Sequence, residues 1–590
     1  MKFVKLLFLL VLPLTACSGE GEEESGGGYV PGTGVITSGN ESTSSSEEIF
    51  HNVDSIQDVP ILHAWNWKVN DVKARLDSIK KAGYGAVQLS PLQPKIDNVK
   101  WSSESTSSQW WKLYQPLGFK ISEGNESFLG TKEDLVSLCN EAKKYDIKIV
   151  MDIVANHLAS SNNNPNEYSD QVYIKYPLHT LGIKTDDNNG QSVVQGHIGL
   201  PDLDTSNKQV QNDVLAMLKD YLDCGVSGFR FDAAKHIETP DDGDYRSDFW
   251  PTVLDGTSAY AKEKGYATPY YYGEILNTCG AGRSFSSYTK MMSIVDNKQG
   301  TSIVQAVHNN NLGGIKTTYD TGENPDHLVL WAESHDTYAN TSGYDLTTSF
   351  PSSEINKAYI IQTSRKDAAS LYFARPSNMG VTICSIDDYG GWKNREIASV
   401  NVFHQLYVDQ DESISTNNNC FVNVRGAGES GGATIVNFGS SESANVEVKG
   451  LANGVYTDII SMKDVTISSE TANVTFTNDA CILLPKELAK DLDFGDVTYD
   501  SNVVIKGADA TKSYLAWAWT NNTDGSWKAF ATDHDAIGLN LSVNMNYVIV
   551  EFASGTTVSS ADWNNKIKQT YDLKYNGGLV IHNYSSLSWK

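Results

Sequence analysis

From residue 60 onward the chain alternates short apolar runs with amphipathic segments. "ILHAWNW" and "AVQLSP" have the length and composition of buried strands, and Val72, Leu76 and Ile79 recur between them at helical spacing before Gly83. "TKEDLVSLCNEAKKYD" is a second amphipathic helix that leads into the strand "IKIVMDIVANH". Similar strands follow at "VSGFRFD", "YYYGEI", "LVLWAES" and "SLYFAR". Repeated units of this kind predict a parallel sheet covered by helices.

Polar residues stand at the ends of four of these strands. They are Asp152 to His157, Arg230 to His236, Glu274 and Asp336. In a (β/α)8 TIM barrel the carboxyl ends of the strands converge on one mouth, where residues far apart in sequence meet. We therefore predict an α/β fold with a (β/α)8 barrel over residues 53–157 and 201–411. The Asn-, Asp- and Gly-rich stretch 158–200 is predicted to be a loop-rich insert after the third strand.

After about residue 412 the pattern changes to short alternating strands such as "FVNVRG" and "GATIVNFG". This pattern predicts an antiparallel β-sandwich over 412–487 and a further all-β module over 495–590. Within that module, Trp517 and Trp519 are two residues apart on a predicted strand and share a face, and Trp527 follows the turn "NNTDG".

The N-terminus, "MKFVKLLFLLVLPLTAC", has two lysines and an apolar run too short for a permanent membrane span. It fits a secretory signal, and a cysteine directly after Leu-Thr-Ala is similar to the bacterial lipobox. We predict a lipoprotein signal peptide over 1–17 with a lipid anchor at Cys17, and an exported lipoprotein of the bacterial cell envelope or cell surface that acts extracellularly. The alternative is an ordinary signal with an incidental cysteine. Residues 18–52 are rich in Gly, Ser and Glu and predict a flexible linker.

Composition limits the class of partner. The 46 basic and 72 acidic residues give a net charge of −26, which argues against nucleic acid and anionic lipid, so the only membrane contact we expect is the anchor. Hydrophobic residues make up 40% of the chain, enough for a large core. The six cysteines after the first have no C-x-x-C spacing, do not predict a zinc site and allow no disulfide assignment. We expect a monomer.

"GFRFDAAKHI" carries the most specific charge pattern. Arg230 and Asp232 share one face of a strand. Alone, the pair is equally well explained as a structural ion pair. Together with Glu274, His335 and Asp336 at other strand ends, it indicates an active site.

The four segments "DIVANH", "GFRFDAAKHI", "YYGEI" and "ESHDT", in this order, resemble the conserved regions of glycoside hydrolase family 13, and residues 58–486 look like secreted bacterial α-amylases. The resemblance implies that Asp232 is the nucleophile, Glu274 the acid and then the base, and Asp336 a third carboxylate that binds sugar hydroxyls. Retaining cleavage needs the first two about 5 Å apart. We expect Arg230 to keep Asp232 ionised and Glu274 to have a raised pKa.

The resemblance also implies a set of residues that bind or support the sugar. They are Tyr114, Trp111, Gln115, His157, Arg230, Lys235 and His335. Two positions depart from the family pattern: Trp111 stands where relatives carry tyrosine, and Ser334 where many have asparagine. A histidine is more often a core residue. Lys235 resembles a family position that contacts sugar on the leaving-group side, and the alternative is that it lies on a solvated face.

The same resemblance implies one Ca²⁺, held by Asn156, Asp202 and the backbone carbonyl of His236, which fixes the insert against the mouth. The C-terminal tryptophans look like those of a starch-binding module, although they could instead fill a sandwich core. The implied function is an endo-acting retaining α-amylase that hydrolyses internal α-1,4 bonds of starch and related glucans. The alternatives are a maltogenic, pullulan-acting or transglycosylating relative, or a glucan-binding protein without activity, which the complete carboxylate set disfavours.

Overall fold

Ten strands occupy the N-terminal two thirds of the chain. In order they are β1 (Ile61–Ala64), β2 (Ala86–Leu89), β3 (Lys148–Val154), β4 (Ser160–Ser161), β5 (Asn164–Tyr168), β6 (Gly228–Asp232), β7 (Tyr270–Gly273), β8 (Ser293–Val295), β9 (Leu328–Trp331) and β10 (Ala369–Phe373). β4 and β5 form a hairpin in the insert, and the other eight close a parallel barrel in the order β1-β10-β9-β8-β7-β6-β3-β2. The predicted TIM barrel is confirmed.

The computed structural model describes most of the chain after its N-terminal segment. The described residues are 55–95, 110–162, 164–276, 281–340, 346–376, 391–494, 501–520, 524–533, 536–542, 544–575 and 580–590. The predicted signal peptide, the linker and the anchor residue Cys17 lie outside these ranges.

The helices surround the barrel or cover its ends. They are α1 (Val69–Lys73), α2 (Leu76–Lys81), α3 (Lys132–Ala142), α4 (Gly190–Gln195), α5 (Lys208–Asp223), α6 (Gly256–Lys264), α7 (Ser286–Thr289), α8 (Asn297–His308), α9 (His335–Ala339), α10 (Ser352–Thr363), α11 (Arg395–Leu406) and α12 (Lys486–Ala489). A capping box begins α3, in which Thr131 and Asp134 exchange side-chain and backbone hydrogen bonds.

Two local features differ from the pattern. The single helix expected after β1 is divided into α1 and α2, because the backbone of Arg75 leaves the helical region. Strand β8 was not predicted: its three residues "SIV" are too short a run to stand out from the neighbouring sequence. It nevertheless supplies one eighth of the closed barrel.

The next eight strands form one antiparallel sheet. They are β11 (Glu412–Asn417), β12 (Cys420–Arg425), β13 (Gly432–Asn437), β14 (Ser443–Glu447), β15 (Gly454–Asp458), β16 (Lys463–Ser468), β17 (Thr471–Thr475) and β18 (Ala480–Pro485), in the order β11-β12-β13-β18-β15-β16-β17-β14. The sheet curls so that its two ends meet, since Glu447 N–H donates to Asn417 Oδ1 at 2.9 Å.

This sheet is joined to the barrel through a common core. Ile482 and Leu484 of β18 belong to the same hydrophobic cluster as the barrel helices. Arg425 is buried and donates from Nη1 to the carbonyl oxygens of Ser364 and Arg365, just after α10, at 3.1 and 2.8 Å. Removing the sheet would therefore expose apolar helix faces.

The last part of the chain forms two further sheets. Its strands are β19 (Val503–Lys506), β20 (Lys512–Trp519), β21 (Ser526–Ala529), β22 (Ala531–Asp533), β23 (Ala536–Leu539), β24 (Asn546–Ala553), β25 (Lys568–Gln569), β26 (Leu573–Lys574) and β27 (Val580–Asn583). The orders are β22-β23-β19-β27 and β21-β20-β24-β25, with β26 beside β24. They enclose a separate hydrophobic core that includes Ile505, Ala516 and Ile549.

Cys139, Cys224, Cys420 and Cys481 are buried free thiols; the other cysteines lie outside the described residues. Within the described ranges, no helix is long and apolar enough to cross a membrane.

Candidate active site

One arginine links the carboxylates at the barrel mouth. Arg230 Nη1 donates to both oxygens of Asp152, at 2.7 and 2.8 Å, and to Asp232 Oδ1 at 3.0 Å. Its Nη2 lies 2.9 Å from Glu274 Oε2. Because one planar guanidinium reaches both, Asp232 and Glu274 lie side by side, as a nucleophile and an acid acting on one bond must.

The backbone after β6 is shaped to reach Glu274. Ala233 adopts a left-handed conformation with φ 48°, which is uncommon for a residue with a Cβ. This turn lets its N–H donate to Glu274 Oε2 at 2.9 Å. Glu274 N–H in turn donates to the carbonyl oxygen of Phe231 at 3.0 Å, so adjacent strand ends fix the two carboxylates.

Asp336 and His335 begin the short helix α9. Ser334 is the N-cap of this helix and forms a capping box with Thr337. Serine and asparagine are both good N-cap residues, which explains how serine serves at a position where many relatives carry asparagine. Asp336 Oδ1 accepts from Asn340 Nδ2 at 3.1 Å, so a residue at the end of this helix helps to fix the carboxyl group.

The pKa values correct the expectations for Asp232 and Glu274. Burial raises the pKa of Glu274, but Arg230, His335 and the Ala233 N–H outweigh it, and the result is lowered. Burial raises the pKa of Asp232 well above its usual value, and Arg230 only partly opposes this rise. In the substrate-free protein the pKa of Glu274 is therefore the lower of the two, and the expectation that Glu274 has a raised pKa beside an ionised Asp232 is wrong.

The reason for this correction is how the arginine is shared. Asp152 accepts two of its hydrogen bonds, so Arg230 is not dedicated to Asp232. Burial and the neighbouring Glu274 carboxylate raise the pKa of Asp336 to about 7, and its carboxyl group hydrogen-bonds to Glu274. Near neutral pH the cluster therefore retains a proton on the carboxyl groups whose pKa is raised, Asp232 and Asp336, instead of on Glu274.

The predicted sugar-binding residues converge on the same mouth. Tyr114 Oη donates to Asp152 Oδ2 at 3.0 Å, and its ring stacks on His335 with centroids 5.2 Å apart and 3° between the planes. Trp111, on the same 3-10 turn, is 38% exposed and Gln115 is buried. An exposed aromatic ring beside a buried one offers a stacking surface for a sugar.

His157 is more enclosed than the prediction implied. It is buried, and its Nε2 forms a 2.8 Å hydrogen bond with the carbonyl oxygen of Tyr114. In this structure His157 supports the backbone of the tyrosine, and its contact with sugar stays a prediction.

Three mouth residues had no assigned role from sequence. Asp152 was recognised only as a polar strand end, whereas the structure makes it the main partner of Arg230. His63 packs edge-on against His335 at 5.5 Å and could have been noticed as a polar residue in the apolar run "ILHAWNW". Lys95 is buried, its Nζ donates to the Leu113 carbonyl oxygen at 2.6 Å, and burial lowers its pKa to about 7.

The predicted calcium ligands lie between the barrel and the insert. Asn156 Nδ2 donates to Asp202 Oδ1 at 3.3 Å, whereas Asn156 Oδ1 is buried without a hydrogen-bond partner among the described residues. His236 Nδ1 hydrogen-bonds with the Val193 carbonyl oxygen, and the backbone carbonyl of His236 is the oxygen that this residue offers to calcium. A carboxylate, a carbonyl and an unsatisfied amide oxygen fit the oxygen preference of calcium.

A histidine bridge lies beside this set. His179 contacts Asp202 Oδ2 through Nδ1 at 2.8 Å and Glu238 Oε1 through Nε2 at 2.7 Å. Thr205 also hydrogen-bonds Glu238. In the described part of the chain no group of three His, Cys, Asp or Glu side chains is arranged to hold a metal. The predicted calcium ligands do not form such a group, because only one of them, Asp202, is a carboxylate and the other two are an amide oxygen and a backbone carbonyl oxygen.

Lys235 does not lie on a solvated face. Its side chain is 11% exposed, and its Nζ lies 3.0 Å from Asp187 Oδ1, in the insert. The acidic stretch "DDNNG" therefore contacts a predicted sugar-binding residue, and residue spacing carries no signal for a contact made by a loop that folds back.

The C-terminal tryptophans form a half-buried outer surface. Trp517 and Trp519 on β20 and Trp527 on β21 pack outside the core between the two sheets, which Ala516 helps to fill from the opposite face of β20. Trp563, which sequence reasoning missed, lies with its ring centroid 4.8 Å from Trp527 and is 38% exposed. It comes from a loop, where spacing carries no signal.

Comparison with known proteins identifies the family. The family model described as alpha amylase, catalytic domain, matches residues 69–263. The α-amylase of Clostridium acetobutylicum is 32% identical over 571 residues, covering 90% of this chain and 70% of that protein. The α-amylase of Butyrivibrio fibrisolvens is 29% identical over 448 residues, covering 69% of this chain and 45% of that protein.

Solved structures support the fold. Wild-type α-amylase I of Eisenia fetida matches with a TM-score of 0.58 at 18% identity, covering 72% of this chain and 97% of the other. A mutant of that enzyme in complex with maltohexaose matches with a TM-score of 0.59. The structural match shows the fold, and the Clostridium relative shows the family. This chain is a glycoside hydrolase and belongs to the α-amylase family, glycoside hydrolase family 13.

Proposed function

We propose that the protein is an endo-acting, retaining α-amylase that cleaves internal α-1,4 bonds of starch and related glucans. The contact of Arg230 with both Asp232 and Glu274 is the observation that carries this proposal. It brings a nucleophile and an acid together in a buried site, which is the arrangement that retaining hydrolysis needs.

The chemistry takes two steps. Asp232 attacks the anomeric carbon and forms a glycosyl ester, while Glu274 gives its proton to the oxygen of the leaving chain. Glu274 then takes a proton from water, whose oxygen attacks the same carbon and releases Asp232. Two displacements at one carbon retain its configuration.

Glu274 must gain a proton before the first step, and Asp232, whose pKa is raised in the free protein, must be ionised to attack. In the free protein Asp336 hydrogen-bonds to Glu274 and has a pKa of about 7. We infer that sugar hydroxyls which bind Asp336 stabilise its ionised form and shift the proton to Glu274. The rings of Tyr114 and Trp111 would then stack on the apolar face of a sugar whose hydroxyl groups bind Asp336.

Calcium, when bound, would be held by Asn156, Asp202 and the carbonyl oxygen of His236. It supplies a fixed positive centre between barrel and insert. The buried, unsatisfied Asn156 Oδ1 supports this assignment.

The remaining assignments follow the sequence. We propose export with a lipid anchor at Cys17, a monomeric enzyme, and an insert and β-domains with the boundaries given above. Trp517, Trp519 and Trp527 would bind starch, which their partial exposure outside the inter-sheet core supports.

The test is digestion of soluble starch by wild type and Asp232→Asn in parallel. Loss of iodine colour with few reducing ends, in wild type only, is expected for an endo-acting enzyme, and the variant should be at least about a thousandfold slower. Slow colour loss with one small product would favour a maltogenic relative. Firm retention on starch without cleavage by wild type would refute catalysis.

A further inference from the structure

The backbone of Lys235 is fixed at the ends of two barrel strands. Its N–H donates to the carbonyl oxygen of Glu274 at 3.2 Å, and its own carbonyl oxygen accepts from Arg283 Nη1 at 2.8 Å. The side chain ends in the ion pair with Asp187. A lysine ammonium has three N–H donors, and Asp187 takes one of them, so further donors can reach a ligand in the cleft.

Asp187 is held in place by the turn that precedes α4. Asn188 N–H donates to Asp186 Oδ1 at 2.9 Å, which closes this turn. α4 is attached to the barrel, because the ring of His236 hydrogen-bonds with the Val193 carbonyl oxygen at 2.7 Å. The position of Asp187 relative to the mouth is therefore fixed by both elements.

Backbone packing fixes the same turn from the other side. A Cβ at Gly190 would lie 2.6 Å from Tyr245 Oη and 3.0 Å from the carbonyl oxygen of Ala281. Only glycine permits this close approach. The turn that carries Asp187 therefore rests directly on the barrel loops.

The burial of the two partners is unequal. The side chain of Asp187 is 67% exposed, whereas that of Lys235 is 11% exposed. Such an exposed carboxylate adds little to the stability of the fold. The contact of Asp187 instead limits where the buried ammonium group of Lys235 can lie.

We propose that Asp187 is a positioning residue for the leaving-group side of the cleft. It holds Lys235 Nζ where the first glucose unit beyond the scissile bond lies, and thereby helps to decide which bond of a glucan is cut. This rests on the proposed function, because it takes Lys235 as a sugar contact.

The experiment compares two substrates on the full mature chain. Maltoheptaose places glucose units on both sides of the scissile bond, whereas a nitrophenyl maltotrioside cleaved at its aryl bond has no sugar on the leaving side. The variants are Asp187→Ala, Asp187→Glu, Lys235→Met and the double variant Asp187→Ala/Lys235→Met. Asp170→Ala, at another exposed acidic residue of the insert, is the matched control.

We expect Asp187→Ala to lower kcat/KM for maltoheptaose about fivefold to tenfold, mainly through KM, with a changed product pattern. The loss on the nitrophenyl glycoside should be smaller, Asp187→Glu should recover most of the activity, and the unfolding temperature should stay within about 1 °C of wild type. The double variant should be no worse than Lys235→Met, as coupled residues require.

Equal losses on both substrates, or additive losses in the double variant, would overturn the proposal. So would an Asp187→Ala variant that matches Asp170→Ala in kinetics and products. A wild-type protein that cleaves neither substrate would instead refute the proposed function.

Discussion

Arg230 shows how one residue organises the chemistry. It contacts three carboxylates, and a fourth, Asp336, hydrogen-bonds to one of them. One guanidinium cannot balance four negative charges in a buried site, so the cluster must keep a proton. In the free protein the arrangement thus stores the proton that the reaction needs on Asp232 and Asp336, the two carboxyl groups whose pKa is raised.

The pH dependence of activity follows from this shared proton. Burial and Glu274 raise the pKa of Asp336 to about 7, with Arg230 and Asn340 opposing the rise. The proton is held below that pH and lost above it, so kcat/KM should fall about tenfold per pH unit above about pH 7. Initial rates on a nitrophenyl maltoside from pH 5 to 9 would show this. A profile that stays flat to pH 9, in protein that remains folded by circular dichroism, would contradict it.

At the scale of elements, the insert is attached to the barrel by polar contacts. His179, in the insert, connects Asp202, just after the insert, to Glu238 after β6, and all three side chains are at least nine-tenths buried. The same region contains the proposed calcium ligands. The mouth therefore depends on the insert for its shape.

Removing the histidine should loosen this attachment. His179→Ala leaves Asp202 and Glu238 buried without their cationic partner, so we expect a loss of about 3 kcal/mol in the free energy of unfolding. Urea denaturation measures it, with Lys184→Ala, an exposed residue of the insert, as the control. A loss below about 0.5 kcal/mol would show that the bridge contributes nothing.

Calcium should likewise stabilise the attachment of the insert to the barrel. In protein first shown to contain the ion, EDTA should lower the unfolding temperature by several degrees, since a ligand at about a hundred times its Kd stabilises by about 2.7 kcal/mol. Asn156→Ala should remove most of this response. An unchanged unfolding temperature of wild type after chelation would exclude the site as a stabilising element.

Several elements could be predicted from sequence, and the exceptions have physical causes. Apolar strands of four or more residues with charged ends, such as the one that ends at Asp232, predicted the barrel and its mouth. β8 has three residues and escaped notice. The contacts of Lys95 and Asp187 depend on how loops fold back, which spacing does not encode. The pKa order of Asp232 and Glu274 depends on where one guanidinium points.

At the scale of the whole molecule, the two C-terminal β parts differ in their attachment. The sheet from β11 to β18 shares the hydrophobic core of the barrel, whereas the last two sheets enclose a core of their own. Only the latter has the organisation of a separable module.

Truncation should distinguish the sheet that shares the core of the barrel from the two sheets that enclose a core of their own. A chain that ends at residue 494 should keep the unfolding temperature and the activity on maltoheptaose, and should lose most of its retention on starch granules. A chain that ends at residue 411 should aggregate, because it exposes the faces of α10 and α11. Full retention on granules by the first chain would contradict the role proposed for Trp517 and Trp519.

The four buried thiols bear on how the protein is made and handled. Burial raises the pKa of Cys139 to about 12 and those of Cys224 and Cys420 to about 11, so each sulfur stays protonated and reacts slowly with oxidants and alkylating agents. None of these described cysteines is bonded to another. The described structure around these four thiols therefore needs no oxidant to form, and we expect a thiol reductant in the buffer to leave α3, the end of α5 and the strands β12 and β18 unchanged.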